Sequence, residues 1–94
     1  MISSFKHKGL KQLFEEGIES GLPAKQIPRI KNILSLLNVA RDPRGMNFPG
    51  SNFHPLKGDR KGEYAVSVTG NYRITFRFDK KKLEAYDVNY EDYH

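Results

Sequence analysis

The stretch that decides the fold is Tyr64-Ala-Val-Ser-Val-Thr-Gly-Asn-Tyr-Arg-Ile-Thr-Phe-Arg-Phe78, in which apolar and polar residues alternate on both sides of Gly70-Asn71. This period of two is typical of strands with one buried face, so the stretch predicts an antiparallel hairpin. A two-residue loop would set Val68 opposite Arg73, so that the apolar residues of one strand would lie on the same face as the polar residues of the other. We therefore expect a three-residue loop, 69–71, which gives the pairs Val68 with Tyr72, Val66 with Ile74 and Tyr64 with Phe76.

The same alternation continues after the hairpin. Tyr86, Val88 and Tyr90 share one parity and predict a further strand beyond a turn at 79–82. Upstream, the segment 53–56 is expected to form another strand end. The stretch 41–50 is dense in turn residues and has no period, so it is interpreted as a loop.

Helical periodicity comes first along the chain. Residues of about 7 to 19 carry an apolar stripe, and a second stripe runs through about residue 39, with Pro28 in its first turn. The stripes consist of Leu10, Leu13, Phe14 and Ile18, and of Ile27, Ile30, Leu34 and Leu37. Helices followed by strands predict an α+β fold, in which two N-terminal helices cover one face of a small antiparallel sheet. With 94 residues, 1–94 is expected to form a single domain.

Composition limits the kinds of site. At 37% hydrophobic and 29% charged residues, the chain can close one modest core but cannot also line a deep pocket for a large organic cofactor, so we expect none. The absence of cysteine excludes a disulfide framework, a thiolate zinc site and a cysteine nucleophile. No apolar stretch approaches the length of a membrane span, and we expect a cytoplasmic protein without a membrane partner.

Positive charge is concentrated in one window. Positions 57–82 hold eight Lys and Arg against three Asp and Glu, whereas the remaining positions hold eight of each. A local basic surface predicts a polyanion, and nucleic acid is the first partner to test. The run 80–82, taken alone, is equally typical of a solvated turn. The basic residues are Lys57, Arg60, Lys61, Arg73, Arg77, Lys80, Lys81 and Lys82.

Strand parity predicts which face of the sheet carries two of these arginines. Arg73, Thr75 and Arg77 fall on the face opposite the apolar one, where two guanidiniums would project toward solvent and could hold a phosphate. Surface strands also carry arginine for solubility, so parity alone leaves both interpretations open.

Three histidines can titrate near neutrality: His7, His54 and His94. His7 is interpreted as an ordinary surface residue, and His54 also fits a strand-end histidine bonded to backbone. If the last strand continues past Tyr90, then Asp92, Tyr93 and His94 lie beside the basic face as an acid-base set. RNA supplies its own 2'-hydroxyl nucleophile, so such a set could cleave it without a metal, and no His spacing typical of a metal site is present.

Three segments resemble the HigB branch of the RelE/ParE toxin superfamily: Ser-Phe-Lys-His-Lys-Gly-Leu at 4–10, Phe-His-Pro-Leu-Lys-Gly-Asp-Arg at 53–60, and Asn-Tyr-Arg-Ile-Thr-Phe at 71–76 with the terminal Tyr-Glu-Asp-Tyr-His. The resemblance implies a RelE-like fold and the toxin of a type II toxin-antitoxin pair, a nuclease that cuts mRNA in the ribosomal A site. It also implies a helix-turn-helix, HigA-like antitoxin through which operator DNA is bound.

The resemblance further implies roles for single residues. His54, Asp92, Tyr93 and His94 would take part in cleavage, and Lys57 and Arg73 would be phosphate-side cations, with no metal. The other basic residues of the window would contact mRNA and ribosomal RNA. Two departures are Tyr72, where the family often has Trp, and a longer, more basic turn at 79–83.

Two other functions fit parts of the pattern. ParE-like members share the fold and poison DNA gyrase, although they generally lack this residue set. A non-catalytic RNA-binding or ribosome-binding module would explain the basic window alone.

Overall fold

The computed structural model describes residues 1–92, which form two α-helices followed by a four-stranded sheet. The predicted α+β architecture is confirmed. The strands are all antiparallel and lie in the order β1-β2-β3-β4. The elements are α1 (Lys8–Glu16), α2 (Ile27–Val39), β1 (His54–Pro55), β2 (Glu63–Thr69), β3 (Tyr72–Asp79) and β4 (Glu84–Asp92), with short 3-10 turns at Ala24–Gln26, Pro43–Met46 and Gly58–Arg60.

Helix α1 is shorter than the apolar stripe predicts. It ends at Glu16 because Gly17 takes the left-handed conformation (φ 72°) and its N–H donates to the Leu13 carbonyl at 3.1 Å. Ile18 therefore leaves the helix and is 40% exposed instead of joining the core. Helix α2 has Pro28 in its first turn, as predicted.

His7 begins α1 and is not the ordinary surface residue predicted. Its Nδ1 accepts a hydrogen bond from the Leu10 N–H at 3.2 Å, which caps the helix. The ring also meets the ring of Tyr90 edge-on, with centroids 5.4 Å apart. Burial lowers the pKa of His7, which favours the neutral ring that the cap requires.

The central hairpin keeps the predicted faces but not the predicted loop. Val66 lies opposite Ile74 and Tyr64 opposite Phe76, as expected. The closing pair, however, is Thr69 with Tyr72, and an irregularity between Ser67 and Thr69 contains Val68. This bulge absorbs one residue, so a two-residue Gly70-Asn71 turn is compatible with a buried Val68.

A second bulge changes the predicted face of one tyrosine. Thr75 pairs with Asn89 but Arg77 pairs with Tyr86, so β4 has one extra residue between these pairs. Asp87 lies there with φ 53°, and its N–H donates to Ser4 Oγ at 2.8 Å. The predicted parity holds for Val88 but is wrong for Tyr86, which is set opposite Arg77.

The core lies between the helices and the apolar face of the sheet. Leu10, Ile30 and Leu37 from the helices and Ile74 and Phe76 from β3 are fully buried. The N-terminal segment runs parallel to β4, with bridges from Ile2 to Ala85 and from Phe5 to Val88, a pairing that the sequence pattern did not predict. The helices leave the opposite, polar face of the sheet uncovered.

Candidate active site

One shallow pocket on the polar face brings together His54 and Arg73. It has a volume of about 80 Å³. Strand pairing explains it, since His54 lies opposite Ala65 and Arg73 lies opposite Ser67, and the small Ala65 side chain leaves a depression between them. The other lining residues are Asn52, Val66, Thr69, Gly70 and Tyr72.

The backbone sets the protonation pattern of His54. Its Nδ1 lies 2.8 Å from the carbonyl oxygen of Asn52. A carbonyl oxygen only accepts hydrogen bonds, so Nδ1 carries the proton and Nε2 of the neutral ring keeps its lone pair. The interpretation of His54 as a backbone-bonded strand-end histidine is confirmed.

The loop that supplies the Asn52 carbonyl is tied to the sheet. Arg29 of α2 donates from Nη2 to the carbonyl oxygens of Gly50 at 2.9 Å and Ser67 at 3.0 Å, and its guanidinium lies 5.5 Å from the Phe48 ring centroid. Ser51 is fully buried, and its carbonyl accepts from the Ser67 N–H at 2.8 Å. These bonds hold the loop, and with it the partner of His54, against β2.

Arg73 lies beside a carboxylate. Glu91 is directly opposite it on β4, and Arg73 Nη2 donates to Glu91 Oε1 at 3.3 Å. Arg60 donates to the two Glu91 oxygens at 2.8 and 2.5 Å, and Thr75 Oγ1 donates at 2.7 Å. Arg60, followed by Thr75 and Arg73, lowers the pKa of Glu91 to about 2 against the opposing effect of burial.

Arg60 also binds a second carboxylate, which belongs to β2. It binds both oxygens of Glu63, at 2.8 and 3.1 Å, and this contact is the main cause of a lowered Glu63 pKa. Arg77 Nη2 lies 3.7 Å from Glu63 Oε2. Because Glu63 is on β2 and Glu91 on β4, the Arg60 guanidinium spans β3 between them.

This ion-pair network corrects the expectation of an open arginine face. Thr75 is only 1% exposed, and the Arg73 side chain only 14%. Arg60 and Arg73 face Glu91, which folding brings to them from outside the basic window, and Arg77 faces Glu63 from within it, so the three guanidiniums do not project freely to solvent.

The lysines lie outside the His54 pocket. Lys57 and Lys61 line a neighbouring concavity with Pro55 and Tyr64. Lys80, Lys81 and Lys82 follow the far end of β3, and the seven residue steps from Arg73 to Lys80 correspond to roughly 23 Å of extended chain. The structure therefore divides the predicted basic window into separate parts.

The C-terminal strand reaches the pocket end of the sheet. Asp92 pairs with Tyr72, so β4 continues past Tyr90. The register sets Asp92 on the face of Tyr72 and Tyr90, however, because Glu91 is the residue that pairs with Arg73, so the expectation that Asp92 lies beside the basic face is wrong. The Tyr72 and Tyr90 rings stack with centroids 5.3 Å apart, and the Tyr90 hydroxyl donates to Gln26 Oε1. Tyr93 and His94, predicted as site residues, lie outside the described residues.

Sequence reasoning missed several residues that shape this site. Glu91 and Glu63 were partly within reach, because alternation places Glu91 on the face of Arg73 and Glu63 on the face of Ser67, although it does not give their partners. Arg29 and the Asn52 carbonyl carried no sequence signal. Within residues 1–92, no group of three or more His, Asp or Glu side chains converges as a metal site would require, and no described helix is long and apolar enough to cross a membrane.

Two solved structures align with this chain over nearly its full length. A chain of the YoeB-YefM complex from Staphylococcus aureus aligns with a TM-score of 0.58 and 14% identity, over 100% of this chain and 98% of that chain, and shows the fold. A conserved hypothetical protein from Helicobacter pylori aligns with a TM-score of 0.48 and 18% identity, over 98% and 94% of the two chains.

The family follows from sequence. The family model for the RelE-like toxin of the type II toxin-antitoxin system HigB matches residues 3–94. Endoribonuclease HigB from Proteus vulgaris is 49% identical over 94 residues, which cover 100% of both chains. The chain therefore belongs to the HigB-like toxin family, and the resemblance noted in the sequence is confirmed.

Proposed function

We propose that this toxin cuts mRNA in the ribosomal A site by attack of the ribose 2'-hydroxyl on the adjacent phosphate. Family membership makes it the toxin of a type II toxin-antitoxin system, and its full-length relative is named an endoribonuclease. The observation that carries the proposal is that His54, with its proton on Nδ1, shares one pocket with Arg73.

Each chemical step has a candidate group. His54 Nε2 takes the 2'-hydroxyl proton, the 2'-oxygen bonds to phosphorus, and the bond from phosphorus to the 5'-oxygen breaks. Arg73 stabilises the charge that builds on the phosphorane. Asp92, Tyr93 and His94 contribute to the acid side, where one group protonates the leaving 5'-oxygen. The products are a 2',3'-cyclic phosphate and a 5'-hydroxyl, and the protein needs no cofactor.

The lysines extend the contact along the RNA. Lys57 and Lys61 share a concavity next to the pocket, which suits contacts to backbone phosphates beside the scissile one. Lys80, the first of the three turn lysines after β3, lies roughly 23 Å of extended chain from Arg73. A separation of this size fits a long polyanion such as ribosomal RNA, and Arg77 lies on the strand that joins the two regions.

The partner of a type II toxin is its antitoxin. We propose that this antitoxin is a HigA-like helix-turn-helix protein and that operator DNA is bound only through it. The toxin would act in the cytoplasm, where its ribosomal substrate is found.

The test is 5'-end mapping of a defined mRNA incubated with the pure protein, with and without programmed ribosomes that have an empty A site. Cuts that require ribosomes, and that His54→Ala reduces by about a hundredfold or more, are the expected result for a lost general base. His7→Asn is the matched control, because it removes a histidine outside the pocket and can keep the helix cap.

The other outcomes reject the proposal in distinguishable ways. Cuts in naked mRNA at the same rate would exclude the ribosome as part of the substrate. Ribosome binding without any cut would indicate a passive RNA-binding module, and inhibition of supercoiling in a gyrase assay would indicate a ParE-like activity. If His54→Ala cuts as fast as wild type, His54 is not the base.

A further inference from the structure

Five hydrogen bonds from four side chains converge on the Glu91 carboxylate, which the cleavage steps above do not use. We propose that Glu91 is a positioning residue for cleavage: it holds the Arg73 guanidinium at the pocket, and Arg60 is the counter-cation that holds Glu91. The inference rests on the proposed function and assigns Arg60 a role different from the RNA contact that the sequence predicted.

The distances rank the two cations that share Glu91. Arg60 reaches both oxygens, at 2.8 and 2.5 Å, in a two-point contact of high geometric specificity. Arg73 donates to one Glu91 oxygen over a longer distance, 3.3 Å. The carboxylate position is therefore set by Arg60, while the contact with Arg73 engages one of the several N–H donors of a guanidinium.

The charges explain why a bridging carboxylate needs a second cation. Without Glu91, the guanidiniums of Arg60 and Arg73 would lose the carboxylate that lies between them, and the repulsion between the two cations would displace Arg73. Without Arg60, Glu91 would neutralise Arg73 and remove the positive potential that a phosphate needs. The whole network, with three arginines (Arg60, Arg73 and Arg77) against two carboxylates (Glu63 and Glu91), carries a net charge of plus one.

Burial separates this network from a surface ion pair. The side chains of Arg73 and Glu91 are 14% and 18% exposed, and Thr75, which donates to Glu91, is 1% exposed. Ion pairs between exposed side chains contribute little, whereas this carboxylate is fixed on several sides. Loss of its charge should move Arg73 by enough to affect the phosphate that it contacts.

The experiment compares Glu91→Gln and Thr75→Val with wild type in the programmed-ribosome assay. Glu91→Gln should lower kcat by about ten- to a hundredfold and leave KM for ribosomes within about threefold. A small displacement of the Arg73 guanidinium weakens its contact with the phosphate in the transition state more than it weakens ribosome binding. Thr75→Val removes one donor at constant shape and should give a smaller loss of kcat in the same direction. Unchanged kcat in Glu91→Gln overturns the inference.

A matched pair tests the role of Arg60. Arg60→Met and Lys61→Met remove one charge each from adjacent positions. If Lys61 contacts RNA and Arg60 does not, Lys61→Met lowers ribosome affinity and reduces the salt dependence of binding by about one ion, while Arg60→Met mainly lowers kcat. Equal reductions in salt dependence would make Arg60 an RNA contact and overturn its assignment as counter-cation.

A measurement without ribosomes separates this inference from the proposed function. The Arg73 guanidinium is followed by 15N NMR in the free protein, and slowed rotation that is lost in Glu91→Gln supports the positioning role. An Arg73 signal that is unchanged in Glu91→Gln contradicts it, even if ribosomes are cleaved. If wild type cleaves nothing, the proposed function fails while the NMR result still decides the position of Arg73. If Glu91→Gln does not fold, the same signal in Thr75→Val decides.

Discussion

The His54 ring is oriented by the backbone of Asn52, whose carbonyl oxygen lies 2.8 Å from His54 Nδ1. Asn52 itself has φ 49°, a left-handed conformation that asparagine and glycine tolerate and β-branched residues do not. The protonation pattern of the proposed base therefore depends on the conformation of one loop residue.

Asn52→Val should uncouple His54 from its backbone partner. We expect a loss of about 1–2 kcal/mol in stability, because valine is strained in this conformation. Cleavage of programmed ribosomes should fall by more than the folded fraction explains. Asn52→Gly keeps the conformation available and should retain cleavage. Urea unfolding and end mapping give both quantities, and equal cleavage by the two variants would disconnect Asn52 from His54.

Arg29→Met should destabilise the protein although Arg29 is far from any predicted site residue in sequence. Its removal leaves the carbonyl oxygens of Gly50 and Ser67 without this donor, at a cost of about 2–3 kcal/mol. Lys31→Met is the control on the same helix, because its ion pair with Glu19 is about half exposed and should contribute less than about 1 kcal/mol. Urea unfolding measures the stability of both variants, and equal losses would show that the Arg29 hydrogen bonds to Gly50 and Ser67 contribute no more than an exposed ion pair.

Acid should destabilise the fold through Glu91. Its pKa is about 2 in the folded protein against an ordinary value of 4.5, so unfolding raises the affinity of Glu91 for a proton. Stability from Glu91 is thus fully present above pH 4.5 and is lost as the pH falls toward 2. Urea unfolding at several pH values should show a decline of the order of 1–2 kcal/mol that is smaller in Glu91→Gln. An equally steep decline in the variant would assign the effect to other carboxylates.

His7 should add a second pH dependence in a higher range. Burial lowers its pKa below 6.5, so the unfolded chain takes up the proton first. The stability that His7 contributes is present above pH 6.5 and is lost as the pH falls through the folded pKa, when Nδ1 can no longer accept from Leu10. In His7→Asn the Tm should change less between pH 8 and pH 5.5. His7→Ala should lose about 1 kcal/mol relative to wild type at pH 8, because the cap itself is gone, and less at pH 5.5, where protonation weakens the wild-type cap.

Much of the fold could be predicted because its signals are local. Alternation from Tyr64 to Phe78 identified the hairpin and its two faces, and the helical stripes identified the covering layer. The errors fall where one residue interrupts a period. Gly17 ends α1 early, and bulges at Val68 and Asp87 change a loop length and the face of Tyr86.

The candidate site was predictable only in part. His54 and Arg73 follow from motif and parity, and the structure brings them to one pocket, whereas Asp92 shares the face of Tyr72 and Tyr90. The charge count misjudged the arginines, because a count along the chain does not show which carboxylate faces which cation. Arg60 and Glu91 are 31 residues apart in sequence, and no local pattern reports their contact.

The sequence by itself therefore determined the strand faces, the helical layer and the types of residue available for phosphate chemistry, because periodicity and composition act over a few residues. The tertiary structure alone decided which nitrogen of His54 carries the proton, which cations Glu91 engages and how far the lysines lie from the pocket. Those properties depend on contacts between segments that only packing brings together, such as α2 against the loop before β1 and β4 against the turn that carries Arg60.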